Sequence, residues 1–428
     1  MDHIAHRDGL DERCFHLTDP AHYTLGELLN IFASAGHTPR FSMRLDSRMF
    51  AFVPRSVRDT FRSLPPVQRV VRTVLEDLGL PRDIGLFLDY PTRYDNRDAE
   101  RALKGSGIRV PELRDYAPRL WDYWERQLDP DLFLDHSLEG NVNGRRVLIT
   151  GASSGIGRAT ALRLAAAGAH VLLVARHRDR LEDTAAEIER AGGSASLYCA
   201  DISDLASVDA LVEAVCAEHR RVDILINNAG RSIRRSLELS FDRFHDFERT
   251  MQLNYFGAVR LIMGLAPSML AAGGGHVINI SSISALMPAP RFSAYVASKS
   301  ALDAWTRAAA VEFSDRRLRF TTINMPLVRT PMVSATEIYD SMPLISPEEA
   351  AEMVAEAVIK KPKRIATRLG ISLQVMNALM PHVTEVLMNT VFRMFGDSAA
   401  ARGEKAAQPV EPSSEQVALA ALMKGVHF

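Results

Sequence analysis

Cysteine is scarce: Cys14, Cys199 and Cys216 are the only three in 428 residues. Their number is odd and no CxxC pair occurs, so the sequence indicates neither a disulfide framework nor a zinc site, and a reducing, cytoplasmic setting is expected. An excess of one charge is also missing. Lysine and arginine total 51 against 52 acidic residues, which gives no reason to expect nucleic acid or an anionic membrane as partner. No uninterrupted apolar run reaches the roughly 18 residues expected of a membrane span. The opening MDHIAHRDGLDERCFHLTDP lacks the apolar core of a secretion signal. What is present is a chain with 47% hydrophobic residues, long enough for two or three domains with proper cores. Cys199 and Cys216 are expected to pack within those cores.

The pattern divides into regions. Residues 1–136 carry helical periodicity at Tyr23–Ala35, opened by a Thr24 cap, at Pro66–Leu78 and at Tyr116–Leu128, with short extended pieces at Cys14–Leu17 and Phe87–Asp89. Turn formers across Ser137–Gly144 predict a linker. From Arg145 to about residue 370, short apolar runs alternate with helical stretches. The strand candidates are Arg146–Thr150, His170–Val174, Ser196–Ala200, Val222–Ile226, His276–Ser281, Arg319–Asn324 and Arg364–Thr367. Such alternation predicts an α/β fold, a doubly wound, Rossmann-like parallel sheet covered on both faces, beside a smaller, mainly helical amino-terminal region. Residues 371–428 read as a helical extension: one helix over Ile371–Phe395, a polar link at Ala399–Glu415 and a last helix at Val417–Phe428.

The chemistry lies in the alternating region. Thr150-Gly151-Ala152-Ser153-Ser154-Gly155-Ile156-Gly157 joins the first strand to an alanine-rich helix. Glycines there permit a tight turn and a close backbone approach to a pyrophosphate, whose charge a helix N-terminus favours. The second strand ends at Arg176, where an acidic residue would bind a ribose 2′-hydroxyl; an arginine pairs instead with a 2′-phosphate, which favours NADPH, or is simply a solvated charge. Asp201 follows the third strand, placed to contact the adenine amine with Ile202 packing nearby, or to cap the next helix. Ser282, Tyr295 and Lys299 follow at steps of thirteen and four residues. Tyr295 and Lys299 share a helix face if the segment is helical, and an ammonium beside a phenol lowers its pKa from about 10 toward working pH. Ser282 can then hold a carbonyl oxygen that receives the proton. Asn254, within the helical stretch Phe241–Met269, could kink that helix through a bound water and link Lys299 to solvent.

In order, the glycine loop, Asn227-Asn228-Ala229-Gly230, Asn254, Ser282, Tyr295 and Lys299 resemble the short-chain dehydrogenase/reductase family. The resemblance spans roughly 225 residues. It implies Asn254, Ser282, Tyr295 and Lys299 as catalytic. It implies cofactor contacts at Gly151, Ser153, Ser154, Gly155, Ile156, Gly157, Arg176, Asp201, Ile202, Asn228, Ala229, Gly230, Tyr295, Lys299, Pro326, Val328 and Thr330. The family's proline-to-threonine segment is Pro326-Leu327-Val328-Arg329-Thr330, in which Leu327 replaces the usual glycine and leaves the backbone path near the carboxamide in question. No metal is implied.

A narrower resemblance comes from GRSIRRSLELSFDRFHDFERTMQLNYFG, APRFSAYVASKSALDA, TTINMPLVRTPM and PKRIATRLG. These are similar to bacterial fatty acyl-CoA reductases, and residues 14–135 resemble the distal part of the extended-type reductase that precedes such a domain in two-domain members. An amino-terminally shortened copy is expected, the other reading being a separate helical accessory domain. The implied activity is NADPH-dependent reduction of a long-chain fatty acyl-CoA to a fatty aldehyde, with further reduction to the alcohol left open by the resemblance. A generic aldehyde or carbonyl reductase and a non-catalytic nucleotide-binding scaffold stand as alternatives. Arg231, Arg234 and Arg235 are expected to hold CoA phosphates, or to be a solvated basic loop. Met332–Pro343 and Leu286, Met287 and Pro288 are expected to wall the acyl chain, with Ile371–Phe395 as a roof, a peripheral membrane contact, or ordinary packing. Homo-oligomers formed by the helices carrying Asn254 and Tyr295 are also implied.

Overall fold

The computed structural model describes residues 2–38, 64–70 and 95–128 with short interruptions, then 135–334, 344–397 and 399–403. The chain divides into two compact units, Met1–Leu134 and Asp135–Phe428.

The first unit is helical where described. Helix Leu25–Ala35 begins at Thr24, whose side chain accepts from Glu27 N–H while the Glu27 carboxylate returns to the Thr24 N–H, a reciprocal capping box. A second helix, Leu113–Tyr123, continues into a π-helical turn over Trp124–Leu128. Ile31, Leu113 and Ala117 are buried with Leu28, Phe32 and Tyr116 around them, a small core. Cys14–His16 form no strand; most of Pro66–Leu78 and all of Phe87–Asp89 lie outside the described residues.

The second unit has the expected doubly wound sheet. Its strands are β1 (Arg146–Thr150), β2 (His170–Ala175), β3 (Ser194–Cys199), β4 (Ile224–Asn227), β5 (Gly275–Ser282), β6 (Leu318–Met325) and β7 (Arg364–Ala366). They pair in parallel in the order β3-β2-β1-β4-β5-β6-β7. The helices are α1 (Gly155–Ala165), α2 (Arg178–Arg190), α3 (Leu205–His219), α4 (Phe244–Ala271), α5 (Ser293–Glu312), α6 (Pro347–Lys360), α7 (Arg368–Leu379) and α8 (Pro381–Met394).

Side chains alternate across each strand, so one run of apolar residues feeds two cores. Val147, Ile149, Val171 and Leu173 are buried with Leu164 of α1, Leu181 of α2 and Val354 of α6. Leu148, Leu172 and Leu225 point to the other face, with Val208 of α3, Leu265 of α4 and Ala309 of α5. Each such Leu or Val, fully buried, contributes about 1.5–3 kcal/mol of transfer free energy. Among the described residues α4 is the helix long and apolar enough by composition to cross a membrane, yet its Leu261, Ile262, Leu265 and Met269 are buried in this core.

Three expectations are corrected. The proposed linker at Ser137–Gly144 contains a short helix, Leu138–Val142: Ser137 Oγ accepts from Gly140 N–H at 2.9 Å, and buried Leu138 and Val142 anchor it. The single helix over Ile371–Phe395 is two, α7 and α8, broken at Met380-Pro381 because proline supplies no N–H and restricts the residue before it. Cys199 is exposed rather than packed inside, and its thiol donates to the Arg176 carbonyl. Only Ala399–Arg402 of the carboxyl-terminal link is helical among its described residues, and Val417–Phe428 lies outside them.

Candidate active site

The strand order reverses between β1 and β4, so the loops following these two strands diverge at the carboxyl edge of the sheet and leave a crevice. Thr150 ties them together. Its Oγ1 accepts from the N–H groups of Asn228 and Ala229 at 3.0 Å each, and Asn228 Nδ2 donates to the Thr150 carbonyl at 2.9 Å. The glycine loop then folds tightly on itself. Gly151 has φ 67°, and a Cβ on Gly157 would lie 2.2 Å from the Gly151 carbonyl oxygen, so only glycine allows α1 to start so close to β1. No side chain caps α1 at Ser154. Its first-turn N–H groups therefore face the crevice unsatisfied by protein side chains, the arrangement that suits a pyrophosphate.

One cavity of about 930 Å³ runs along this edge, and it gathers most of the residues singled out from sequence. Gly151, Ser153, Ser154, Gly155, Ile156, Asn228, Ala229 and Gly230 line it with Arg176, Asp201 and Ile202. Ser282, Tyr295, Lys299, Pro326, Val328, Thr330 and Met332 line it as well. Gly157 and Asn254 are not among its lining residues. Leu327 sits at a negative φ, and its carbonyl accepts from Ile345 N–H at 3.0 Å while Arg329 N–H donates to Ile345, so the segment is held without glycine.

Arg176, exposed at the end of β2, and Arg180, on the first turn of α2, enter the same end of the cavity as Asp201. Asp204, not Asp201, caps α3. Burial works against the Asp201 carboxylate, but hydrogen bonds from Ser203 and the positive charges of Arg176 and Arg231 prevail and hold its pKa below the ordinary value.

At the other end, the Ser282 hydroxyl is a polar neighbour of the buried Tyr295 phenol and favours its ionised form. Ser284 donates to Ser282 Oγ at 2.9 Å. Burial pushes the Tyr295 pKa up, the Ser282 hydroxyl opposes this, and the charge of Asp303 adds to the rise. The expected direction was downward. The physical reason for the difference is that the Lys299 ammonium donates to the Ile280 carbonyl at 2.7 Å and is itself pulled down to about 8 by burial, with Asp303 opposing that fall. Asp303 extends the 295, 299 spacing by another four residues on α5 and is buried, its Oδ2 accepting from Asn324 Nδ2 at 3.1 Å. That repeat was readable in the sequence and marks a residue that the motif does not include.

Asn254 lies in a π-helical turn, Gln252–Gly257, inside α4. Its Oδ1 accepts from Arg231 N–H at 2.8 Å, and its Nδ2 donates to the Arg231 carbonyl and Ser298 Oγ at 2.9 Å each. It thereby pins the loop after Gly230 to the helix that carries Tyr295. Asn254 Oδ1 and Lys299 Nζ each lie 3.4 Å from where a Cβ on Gly230 would sit, so the two groups flank one glycine.

Of the arginines expected to meet phosphates, Arg234 and Arg235 line the cavity, and each also has partners within the protein. The Arg235 guanidinium bonds the carboxylate of buried Asp246, which Arg243 and Arg249 also contact. Arg234 donates to the Gly396 carbonyl at 2.8 Å, beyond α8. Arg231 projects its charge onto Asp201.

Comparison with known proteins agrees with this geometry. The short chain dehydrogenase family model matches residues 145–339. A fatty acyl-CoA reductase of Acinetobacter baylyi is 54% identical over 265 residues, covering 62% of this chain and 90% of that protein. Another, from Mycobacterium tuberculosis, is 45% identical over 249 residues, 58% of this chain and 85% of that protein. Among solved structures, a 7α-hydroxysteroid dehydrogenase complexed with NADH and 7-oxo glycochenodeoxycholic acid matches with a TM-score of 0.51 at 27% identity, over 55% of this chain and 96% of that one. The chain belongs to the short-chain dehydrogenase family. It is an oxidoreductase that uses a nicotinamide dinucleotide.

Proposed function

We propose that the protein reduces long-chain fatty acyl-CoA to fatty aldehyde with NADPH, using Tyr295 as acid. The observation that carries this reading is a single cavity lined by Ser282, Tyr295 and Lys299, by arginines beyond β2 and by apolar side chains of α7 and α8. The Acinetobacter and Mycobacterium relatives support the substrate class. The glycine loop and the uncapped start of α1 fit a dinucleotide pyrophosphate, and Arg176 with Arg180 fits a 2′-phosphate. Bound in that crevice, the dinucleotide supplies a hydride to the thioester carbonyl carbon.

The chain's own residues do the rest. Ser282 hydrogen-bonds the carbonyl oxygen as negative charge develops on it. Tyr295 delivers its proton to that oxygen, and its raised pKa keeps it protonated for the purpose. The resulting hemithioacetal loses CoA thiol and leaves the aldehyde. Lys299 donates to the Ile280 carbonyl at 2.7 Å, and the charge of Asp303 favours its ammonium form beside the site. The reading keeps a homo-oligomer built on α4 and α5, on whose surfaces Phe256, Met263 and Val311 lie exposed. It also keeps residues 1–136 as the counterpart of the distal part of an extended-type reductase.

The direct test is NADPH oxidation with palmitoyl-CoA while free thiol is trapped. Stoichiometric thiol and hexadecanal support the proposal; turnover of aldehydes alone, with no thiol released from any acyl-CoA, would leave a carbonyl reductase instead. A pH profile provides a second check. A lysine whose ammonium is required loses it as pH rises through about 8, so reduction should decline across that value. The groups facing Lys299 are Tyr295 and Asp303 on its own helix, Asn254 on α4 and the Ile280 carbonyl on β5. Because Asp303 opposes the downward shift, Asp303→Asn should move the decline to lower pH. An unmoved alkaline limb would show that Lys299 does not set it.

A further inference from the structure

The carboxyl-terminal pair α7–α8 does two things at once. Leu373, Leu387, Met388, Val391 and Phe395 from it and from the turn beyond line the catalytic cavity. The same segment is fastened by polar contacts to the two loops that carry the site. Arg291 Nη1 donates to the Phe392 carbonyl at 2.9 Å, and its guanidinium lies 3.9 Å from the centre of the Phe392 ring. Arg291 Nε stands 3.3 Å from Asp397 Oδ1, and both side chains are nearly buried, at 8% and 11% exposure. Asp397 Oδ1 also accepts from Ser236 N–H at 2.9 Å, and Arg234 holds the Gly396 carbonyl.

On the other side, Arg291 is tied to the loop after Gly230 through its carbonyl, which accepts from Arg235 N–H at 2.7 Å. Its backbone sits at φ 66°, a left-handed conformation that a non-glycine residue adopts when its surroundings impose it. The next residue, Phe292, meets the Tyr295 ring edge-on at 6.5 Å between centroids. A nearly buried ion pair returns little net stability, so one whose two members are each bonded to a different segment, Arg291 to the Phe392 carbonyl and Asp397 to the Ser236 N–H, is a device for holding one arrangement. What it holds is the wall of the chamber against the loop that leads to Tyr295.

Resting on the fatty acyl-CoA reading, we propose that Arg291 and Asp397 are a positioning pair that fixes α7–α8 as the acyl-chain wall, which makes them determinants of chain-length specificity. Neither touches the reacting atoms. A short chain ends before it reaches α8 and does not depend on the latch; a long chain lies along Leu387, Val391 and Phe395 and does.

The test compares steady-state kinetics on palmitoyl-CoA and butyryl-CoA, and on hexadecanal and butanal, for Arg291→Ala, Asp397→Ala and the double variant, with NADPH binding and thermal melting measured alongside. Each single variant should raise KM for the C16 substrates by roughly ten- to a hundred-fold, with kcat and the C4 substrates little changed, and the double variant should cost no more than either single one. Asp397→Asn, which keeps an acceptor for Ser236, should recover part of the loss. Val391→Trp, which narrows the chamber without touching the latch, should also depress the C16 substrates selectively and serves if the latch variants do not fold. Equal losses at C4 and C16, or an unchanged chain-length profile in Val391→Trp, would overturn the proposal. If no acyl-CoA is reduced by any form but the aldehydes show the length-dependent loss, the latch stands and the acyl-CoA reading falls.

Discussion

Tyr295→Phe should reduce kcat by about a hundred- to ten-thousand-fold, the range typical for loss of a positioned general acid, while NADPH binding stays close to that of the parent. The substitution removes one hydroxyl and keeps the ring that meets Phe292, so packing around the site is preserved. It also separates two roles that the cavity places side by side. Ser282 neighbours that hydroxyl and accepts from Ser284, so the variant leaves a donor for the carbonyl oxygen but no acid of its strength. Ser282→Ala should do the reverse. It leaves the acid, and its cost should reflect the loss of one oxyanion donor, about a hundred- to thousand-fold. The measurement is single-turnover NADPH oxidation with NADPH affinity read separately by fluorescence. Residual turnover in Tyr295→Phe near the parent rate would mean that another hydroxyl, Ser282 or Ser284, delivers the proton.

The direction of the Tyr295 pKa bears on this result. A phenol pushed up by burial and by Asp303 is protonated throughout the neutral range, which suits a group that gives a proton to an alkoxide in the reductive direction. Running the reaction backward, as oxidation of the hemithioacetal formed from aldehyde and CoA thiol, would need the phenolate to take the hydroxyl proton, so the same geometry predicts a higher pH optimum for oxidation than for reduction.

The parts of the site that sequence made legible are those where residue type and spacing alone set the chemistry. The glycine loop needs a turn without a Cβ, and the 2.2 Å between a Cβ on Gly157 and the Gly151 carbonyl is the same requirement in three dimensions. The four-residue step from Tyr295 to Lys299 reads directly as one helix face. The sheet followed from apolar runs of strand length, with ends displaced by up to two residues, as at β3 and β4. What sequence could not supply is the use to which a charge is put. The partners of Arg234 and Arg235 were not legible because they are remote or hidden: Gly396 is 162 residues on, and Asp246 is an acidic residue among many until the fold buries it. The Tyr295 shift was misjudged for a similar reason, since burial and Asp303 outweigh a lysine whose ammonium is turned to Ile280. The break in the carboxyl-terminal helix had a visible signal in Pro381, and the apolar run around it concealed the signal.

Arg176→Asp should invert the cofactor preference. Charge-assisted hydrogen bonds contribute about 1.5–3 kcal/mol each, so loss of the guanidinium should raise KM for NADPH by about ten- to a hundred-fold. The introduced carboxylate can accept from a ribose 2′-hydroxyl, so KM for NADH should fall at the same time. Arg176 and the Tyr295 hydroxyl lie at different ends of the cavity, one beyond β2 and the other beside β5, so kcat at saturating cofactor should change little. Arg180 lines the same end and can retain part of the 2′-phosphate contact. The double change Arg176→Asp with Arg180→Ala should therefore remove what preference remains. Asp201 provides an internal control. Its depressed pKa depends in part on Arg176, but it is also held by Ser203, so its carboxylate remains ionised at neutral pH in the variant and any loss can be read as loss of the phosphate contact. Equal changes in KM for NADPH and NADH would show that Arg176 is only a solvated charge at the end of β2, and the assignment of NADPH would then rest on Arg180 alone.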